Sequence, residues 1–386
     1  MKRALFVTNG HGEAAIADRI AFELRPMVPG AQLDHLALVA GAACETMRDV
    51  GPRREMPSGG LIAMGNVRNL ARDVRAGLIG LTNAQYRFLR DARGSYDVAL
   101  AVGDAYALAM TLAARAPTIF VGTAKSVAVA PYGALERRLL RGARARFVRD
   151  EPTARALREC GLEVEPAANV IVDIFGAPDD PAAASALAGF LPRLALLPGS
   201  RESAYGDARL LLAVTREVAA RHSTLGAALS VAPGLQAGRF AADARRDGWD
   251  VRETDDDMVP FVLSVAGREI VRGWRGALGP LLSRAELVLG QAGTANEAAA
   301  AAGVPVVAFE PHRKSGWYRK RQRALLGEAL AVLPSNLDDA VAGVDAILDD
   351  AGRRRTMGAR GRERMGTPGA ARRVAERAAA LLRGGT

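Results

Sequence analysis

The sequence predicts an α/β protein of two doubly wound, parallel-sheet domains, and three observations carry that expectation. Short apolar runs alternate with helical stretches along the whole chain. Those runs are continuous rather than alternating in polarity, which means burial on both faces, as in a parallel sheet covered by helices. The alternation breaks once, at Phe175-Gly176-Ala177-Pro178-Asp179-Asp180-Pro181, and then restarts. A chain of 386 residues is also too long for one ordinary core. The expected domains are residues 1–176 and 180–366, with a cleft between them and ligands beyond the carboxyl ends of strands.

In the first domain the expected strands are residues 4–8, 33–39, 61–64, 98–102, 118–121 and 146–148. Helices are expected between them, notably over 14–24, 105–114 and 153–160. In the second domain the strands are 193–197, 227–231, 269–271, 287–289 and 306–309, with a helix over 210–221. An Ala/Arg-rich helix, 369–383, follows and is expected to pack back on the first domain.

Hydrophobic residues at 49% and charged residues at 24% fit a globular chain. No run approaches the roughly 20 uncharged apolar residues that span a bilayer. Residues 1–8 read as a buried strand entering a glycine turn, not as a signal peptide. Cys44 and Cys160 show no partner pattern, which suits a reducing cytoplasm. With 52 Lys and Arg against 42 Asp and Glu, the net charge of +10 suits phosphorylated or anionic partners. Aromatic residues are only 5%, without the basic–aromatic interleaving of a nucleic-acid platform. Arg68, Arg72 and Arg75 share one face of an apolar segment that continues through Leu81. That segment reads either as a basic amphipathic helix for a membrane surface or as a solvated helix.

Residues 287–309 are the most informative. A strand enters Gly290-Gln291-Ala292-Gly293-Thr294-Ala295-Asn296-Glu297, then an alanine-rich helix, then a second buried strand. Such a turn leaves backbone N–H groups at the helix start without intrahelical acceptors. Phosphate on those amides and a sugar hydroxyl on Glu297 is what a nucleotide-sugar diphosphate requires. The alternative is an ordinary turn with Thr294 as N-cap and Glu297 as its capping-box acid.

Three other loops follow strands. Asn9-Gly10-His11-Gly12-Glu13 offers two glycines for close approach and two titratable groups, His11 and Glu13. It lacks the third glycine of a dinucleotide fingerprint, which disfavours NAD; a turn capped by Glu13 is the other reading. Asp104 is both a candidate general base and a good N-cap for the helix at 105. In Leu197-Pro198-Gly199-Ser200-Arg201, Ser200 can cap the next helix; the planar fork of Arg201 suits a diphosphate leaving group, and a surface arginine in an arginine-rich chain is the other reading. No cofactor or metal set is expected. Asp255-Asp256-Asp257 reads as a solvated turn, and His35, His222 and His312 lack zinc spacing.

Taken together, Pro198-Gly199-Ser200-Arg201 and residues 290–297 resemble the GT-B glycosyltransferases of the lipid-A-disaccharide synthase family. Asn9–Glu13, Arg72-Asp73-Val74-Arg75-Ala76-Gly77, Val121-Gly122-Thr123-Ala124-Lys125-Ser126 and Phe147-Val148-Arg149-Asp150-Glu151 look like the branch known from cyanobacteria and deinococci. The resemblance covers almost the whole chain. It implies a GT-B fold and a cytoplasmic, membrane-peripheral, metal-independent enzyme. Such an enzyme moves a sugar, of N-acetylglucosamine type, from a UDP-sugar to a lipid-linked acceptor with inversion. The donor would lie against Gly293, Thr294, Asn296 and Glu297, with Arg201 facing the diphosphate and Asp104 near the acceptor. The synthases proper carry a Gly-Glu-x-Ser-Gly-Asp-type first loop, where this chain has His11 and Glu13. Their proline before the linker is also missing, at Asn169-Val170. Two other readings remain: a UDP-N-acetylglucosamine epimerase of the same architecture, or a non-catalytic sugar-nucleotide or lipid-binding protein.

Overall fold

The computed structural model describes residues 1–39, 44–54, 73–123, 125–175, 181–190, 192–310, 316–366 and 368–384. Internal contacts divide the chain into two compact units, Met1–Ile174 with Gly366–Thr386, and Phe175–Met365.

Among the described residues unit 1 holds six parallel strands: β1 (Arg3–Thr8), β2 (Gln32–Ala37), β3 (Arg48–Asp49), β4 (Val98–Gly103), β5 (Thr118–Gly122) and β6 (Ala145–Val148). Their order is β3-β2-β1-β4-β5-β6. Every residue of β4 and β5 is buried, as are Ala4 to Thr8 of β1. The lack of polar alternation therefore has its expected cause. Covering each Val, Leu or Phe contributes roughly 1.5–3 kcal/mol, so the central strands anchor the unit. The chain steps outward from β1 to β2 and β3 on one side, and from β4 to β5 and β6 on the other. The carboxyl ends of β1 and β4 thus flank the point where strand order reverses, where open α/β sheets bind ligands. The expected strand at 61–64 lies outside the described residues.

The helix Ala370–Leu382 belongs to unit 1 and packs on the helix His11–Met27 through an alanine- and leucine-rich face. Its start is held by Asp173, whose carboxylate accepts the amides of Gly369 and Ala371, each at 2.7 Å. Gly77, at φ 96°, ends the turn carrying Arg75 and starts a separate helix, Leu78–Asp91. The basic-apolar segment is consequently not one helix through Leu81; Arg68 and Arg72 lie outside the described residues.

Among the described residues unit 2 holds eight strands: β7 (Pro192–Leu197), β8 (Gly226–Ser230), β9 (Asp250–Glu253), β10 (Phe261–Val265), β11 (Arg268–Trp274), β12 (Leu287–Gly290), β13 (Val306–Phe309) and β14 (Leu330–Leu333). Their order is β14-β13-β12-β7-β8-β11-β10-β9, and the switch in strand order falls between β7 and β12. Against the all-parallel expectation, β10 runs antiparallel to both β9 and β11. The cause is a two-residue turn, Ala266-Gly267, with both residues at positive φ (49° and 77°), the geometry that matches hairpin twist. The charged residues of β9 leave the outer edge protected from pairing. Asp255-Asp256-Asp257 sits in the turn between β9 and β10, where Asp256 accepts the amide of Met258 at 2.8 Å.

The helix Thr294–Ala302 crosses the helix Ala351–Met365 at backbone distance. A Cβ on Gly358 would stand 2.1 Å from the Gly303 carbonyl oxygen, and one on Gly361 would stand 2.4 Å from that of Ala300. Only glycine fits at these two positions.

Candidate functional site

In unit 1 the motif residues converge at the β1/β4 switch. The first helix begins at His11 rather than at 14, with Gly10 in the N-cap position and no side-chain cap. Gly12 and Glu13 therefore lie in its first turn; the side chain of His11 lies outside the described residues. Glu13 folds back over the start of its helix, close enough that a Cβ on Gly10 would meet its Oε2 at 2.7 Å. Thr123, just past β5, donates its hydroxyl to Glu13 Oε1 at 3.5 Å. Buried Arg149 reaches the Thr123 carbonyl at 3.4 Å, so the loops after β1, β5 and β6 are linked.

Of the two roles left open to Asp104, the structure shows the helix cap. Its Oδ1 accepts the amides of Tyr106 and Ala107, each at 3.0 Å, and so caps the helix Ala105–Thr111. Its Oδ2 accepts from the side-chain amide of Asn9 at 3.1 Å, and a carboxylate oxygen has a further lone pair beyond that bond. The Asn9 Oδ1 atom is buried without a hydrogen-bond partner.

Behind this loop runs a buried array that the sequence did not reveal. His35 Nδ1 lies 3.0 Å from Asp49 Oδ1, and His35 Nε2 lies 2.9 Å from the Thr8 hydroxyl. A carboxylate only accepts, so Nδ1 carries the proton and Nε2 accepts from Thr8. Burial lowers the His35 pKa below 6.5, although the bond to Asp49 acts in the opposite direction.

In unit 2 the two predicted motifs meet at the β7/β12 switch, where Gly290 pairs with Leu197. The amides of Gln291 and Ala292 both donate to the Leu197 carbonyl, at 2.9 and 3.1 Å. Gly293, not Thr294, occupies the N-cap position of the helix Thr294–Ala302, so no side chain caps it. Among the described residues the amides of Gly293, Thr294 and Ala295 have no acceptor, leaving an open, electropositive helix tip. Glu297 lies half-buried in the same turn. Asn296 turns inward instead: it is fully buried and donates to the Gly290 carbonyl at 3.0 Å.

After β7, Gly199 adopts φ 117°, a backbone open to glycine, and turns the chain. Ser200 does not cap the following helix, which runs Ser203–Arg221 with Glu202 in the N-cap position and no side-chain cap. Ser200 and Arg201 are exposed, and among the described residues the Arg201 side chain has no hydrogen bond or ion pair. Its fork is available to a ligand.

No family model matches the chain, and no curated protein matches it in sequence. Solved structures do match. Over 100% of its length the chain is similar to a Listeria monocytogenes protein assigned as a UDP-N-acetylglucosamine 2-epimerase, with 13% identity, 98% of that chain covered and a TM-score of 0.62. Over 97% it is similar to MurG from Acinetobacter baumannii, with 14% identity, 98% covered and a TM-score of 0.56. Over 99% it is similar to a UDP-glucosyltransferase from Polygonum tinctorium, with 12% identity, 99% covered and a TM-score of 0.56. The fold is GT-B. At these identities the likeness fixes the architecture, while the chemistry rests on the residues at the two switch points.

Among the described residues no group of three or more His, Cys, Asp or Glu could hold a metal ion, and no helix is long and apolar enough to cross a membrane.

Proposed function

We propose that this chain is an inverting glycosyltransferase. It moves a sugar of N-acetylglucosamine type from a UDP-sugar to a lipid-linked acceptor, as the resemblance to lipid-A-disaccharide synthases implies. The observation that carries the reading is the uncapped tip of the helix Thr294–Ala302 at the β7/β12 switch, beside Arg201, whose side chain has no partner among the described residues. Three amides without an acceptor among the described residues, together with a guanidinium, suit a pyrophosphate, because both are preorganised donors where leaving-group charge develops. Glu297, one turn into the helix, is placed to accept ribose hydroxyls. These donors meet the phosphate charge without a divalent ion.

Unit 1 takes the acceptor. The acceptor hydroxyl attacks the anomeric carbon as the bond from that carbon to the UDP oxygen breaks, and its proton passes to Asp104 Oδ2. His11 and Glu13 are the other proton acceptors in that loop, and Asn9, Gly10 and Gly12 let the acceptor approach the backbone. Exposed Val74 and Ile79, beside Arg75, support a peripheral seat on the inner face of the cytoplasmic membrane.

The likeness to an assigned epimerase favours a second reading, in which a UDP-sugar is inverted without any acceptor. One experiment separates the two. Purified protein is incubated with a panel of UDP-sugars and total lipid extract, and products are followed by mass spectrometry and chromatography. A glycosylated lipid with free UDP supports the transferase. An isomerised UDP-sugar formed without lipid supports the epimerase, and tight UDP binding with no product indicates a binding protein.

A further inference from the structure

The helix Gly316–Leu326 sends two nearly buried side chains, Arg319 and Gln322, toward the turn before the open helix tip; each is 5% exposed. They stand at i and i+3, on one helix face. Arg319 donates to the Phe309 carbonyl at the end of β13 at 2.9 Å, to Gln322 Oε1 at 2.5 Å, and to Gln291 Oε1. Gln322 donates to the Ala292 carbonyl at 2.8 Å, and Gln291 donates to the Phe309 carbonyl at 3.3 Å. The turn is therefore gripped from both sides: its amides at 291 and 292 by the Leu197 carbonyl, and its Gln291 side chain and Ala292 carbonyl by this network.

We infer that Arg319 and Gln322 are positioning residues for the donor pyrophosphate: they fix the Gly290–Gly293 backbone so that the amides of Gly293, Thr294 and Ala295 point together at one anion. The inference rests on the donor reading above and adds residues outside the strand-end motifs. The network suits this role because a guanidinium fork binds three acceptors in one plane, which sets direction as well as distance. Anion binding by amides depends on that direction, and a displacement of about 1 Å in such a constellation costs up to a hundredfold. Neither side chain needs to touch the ligand.

The test uses two conservative variants of the full chain. Gln322→Met keeps the length and apolar contacts and removes the bonds to Ala292 and to Arg319. Arg319→Lys keeps the charge and loses the fork. Wild type and variants are titrated with UDP and with uridine by calorimetry, and folding is followed by urea midpoint. Both variants should lose about tenfold or more in UDP affinity while uridine affinity is unchanged, because only the pyrophosphate uses the turn. Equal losses for UDP and uridine, or unchanged UDP affinity, overturn the inference while the donor reading stands. A wild-type chain that binds neither UDP nor any UDP-sugar sinks the donor reading itself. Should Arg319→Lys not fold, Gln322→Met and Gln291→Met, each removing two bonds of the network, give the same decision.

Discussion

Replacing Asp104 by Asn separates the helix cap made by that carboxylate from its proposed role as general base. Oδ1 caps a helix by accepting two amides, and asparagine caps about as well as aspartate. Oδ2 accepts from Asn9, whose own Oδ1 is buried and unpartnered. After the substitution the Asn9 amide turns over, and its Oδ1 accepts from the new amide. One hydrogen bond replaces another, so stability should change by less than about 1 kcal/mol. Turnover should not survive, because a general base contributes roughly 10²–10⁴-fold and an amide cannot take a proton. UDP affinity should be unchanged, since the proposed donor site lies in unit 2. Asp104→Ala supplies the contrast. It loses the cap, at about 0.5–2 kcal/mol, and leaves the Asn9 amide unpaired, at about 1–3 kcal/mol. The assays are sugar transfer with the active UDP-sugar and lipid, UDP titration, and urea midpoints. Transfer by Asp104→Asn at the wild-type rate removes Asp104 from the mechanism. Equal midpoints for the Asn and Ala variants contradict the capping geometry.

Arg201→Ala should leave stability within about 0.5 kcal/mol, since the side chain is exposed and has no partner among the described residues, and should weaken UDP binding about 10- to 100-fold. Glu297→Ala should weaken UDP more than it weakens a deoxyribose analogue, and equal losses would deny it the ribose. Gly361→Ala should destabilise by about 1–3 kcal/mol, because the added carbon meets the Ala300 carbonyl at 2.4 Å; an unchanged urea midpoint would refute that helix contact. His35 has a folded-state pKa below its unfolded value of 6.5, so the unfolded chain binds the extra proton first. Wild-type stability should therefore fall as pH drops below about 6.5, and His35→Gln should flatten that slope; identical profiles would show that His35 does not titrate as described.

The sheet cores and the strand-end loops were legible because both follow from local pattern. Continuous apolar runs marked β1, β4, β5, β7, β12 and β13, and glycine marked the turns that follow β1, β7 and β12. The hairpin at Ala266-Gly267 was not legible, because alanine at positive φ carries no turn signature and the fold imposes that conformation. Cap positions slipped for a related reason. Ser200 and Thr294 have capping side chains, yet the backbone puts Glu202 and Gly293 at those positions. Asn296 reads as a ligand residue and instead ties its helix to β12, since a helix start does not reveal which side chains face the sheet. Arg319 was invisible for the opposite reason. It is one of four basic residues among Arg319, Lys320, Arg321 and Arg323, and nothing in their spacing tells which one the core receives.

The return of residues 370–382 to unit 1 has a consequence for biosynthesis. A ribosome delivers all of unit 2 before it delivers the element that covers the apolar side of the helix His11–Met27. The earlier-made unit is therefore the later one to be sealed, contrary to the usual amino-terminal-first order. Nascent chains stalled before residue 370 should expose that helix to proteases and chaperones while Phe175–Met365 is already compact.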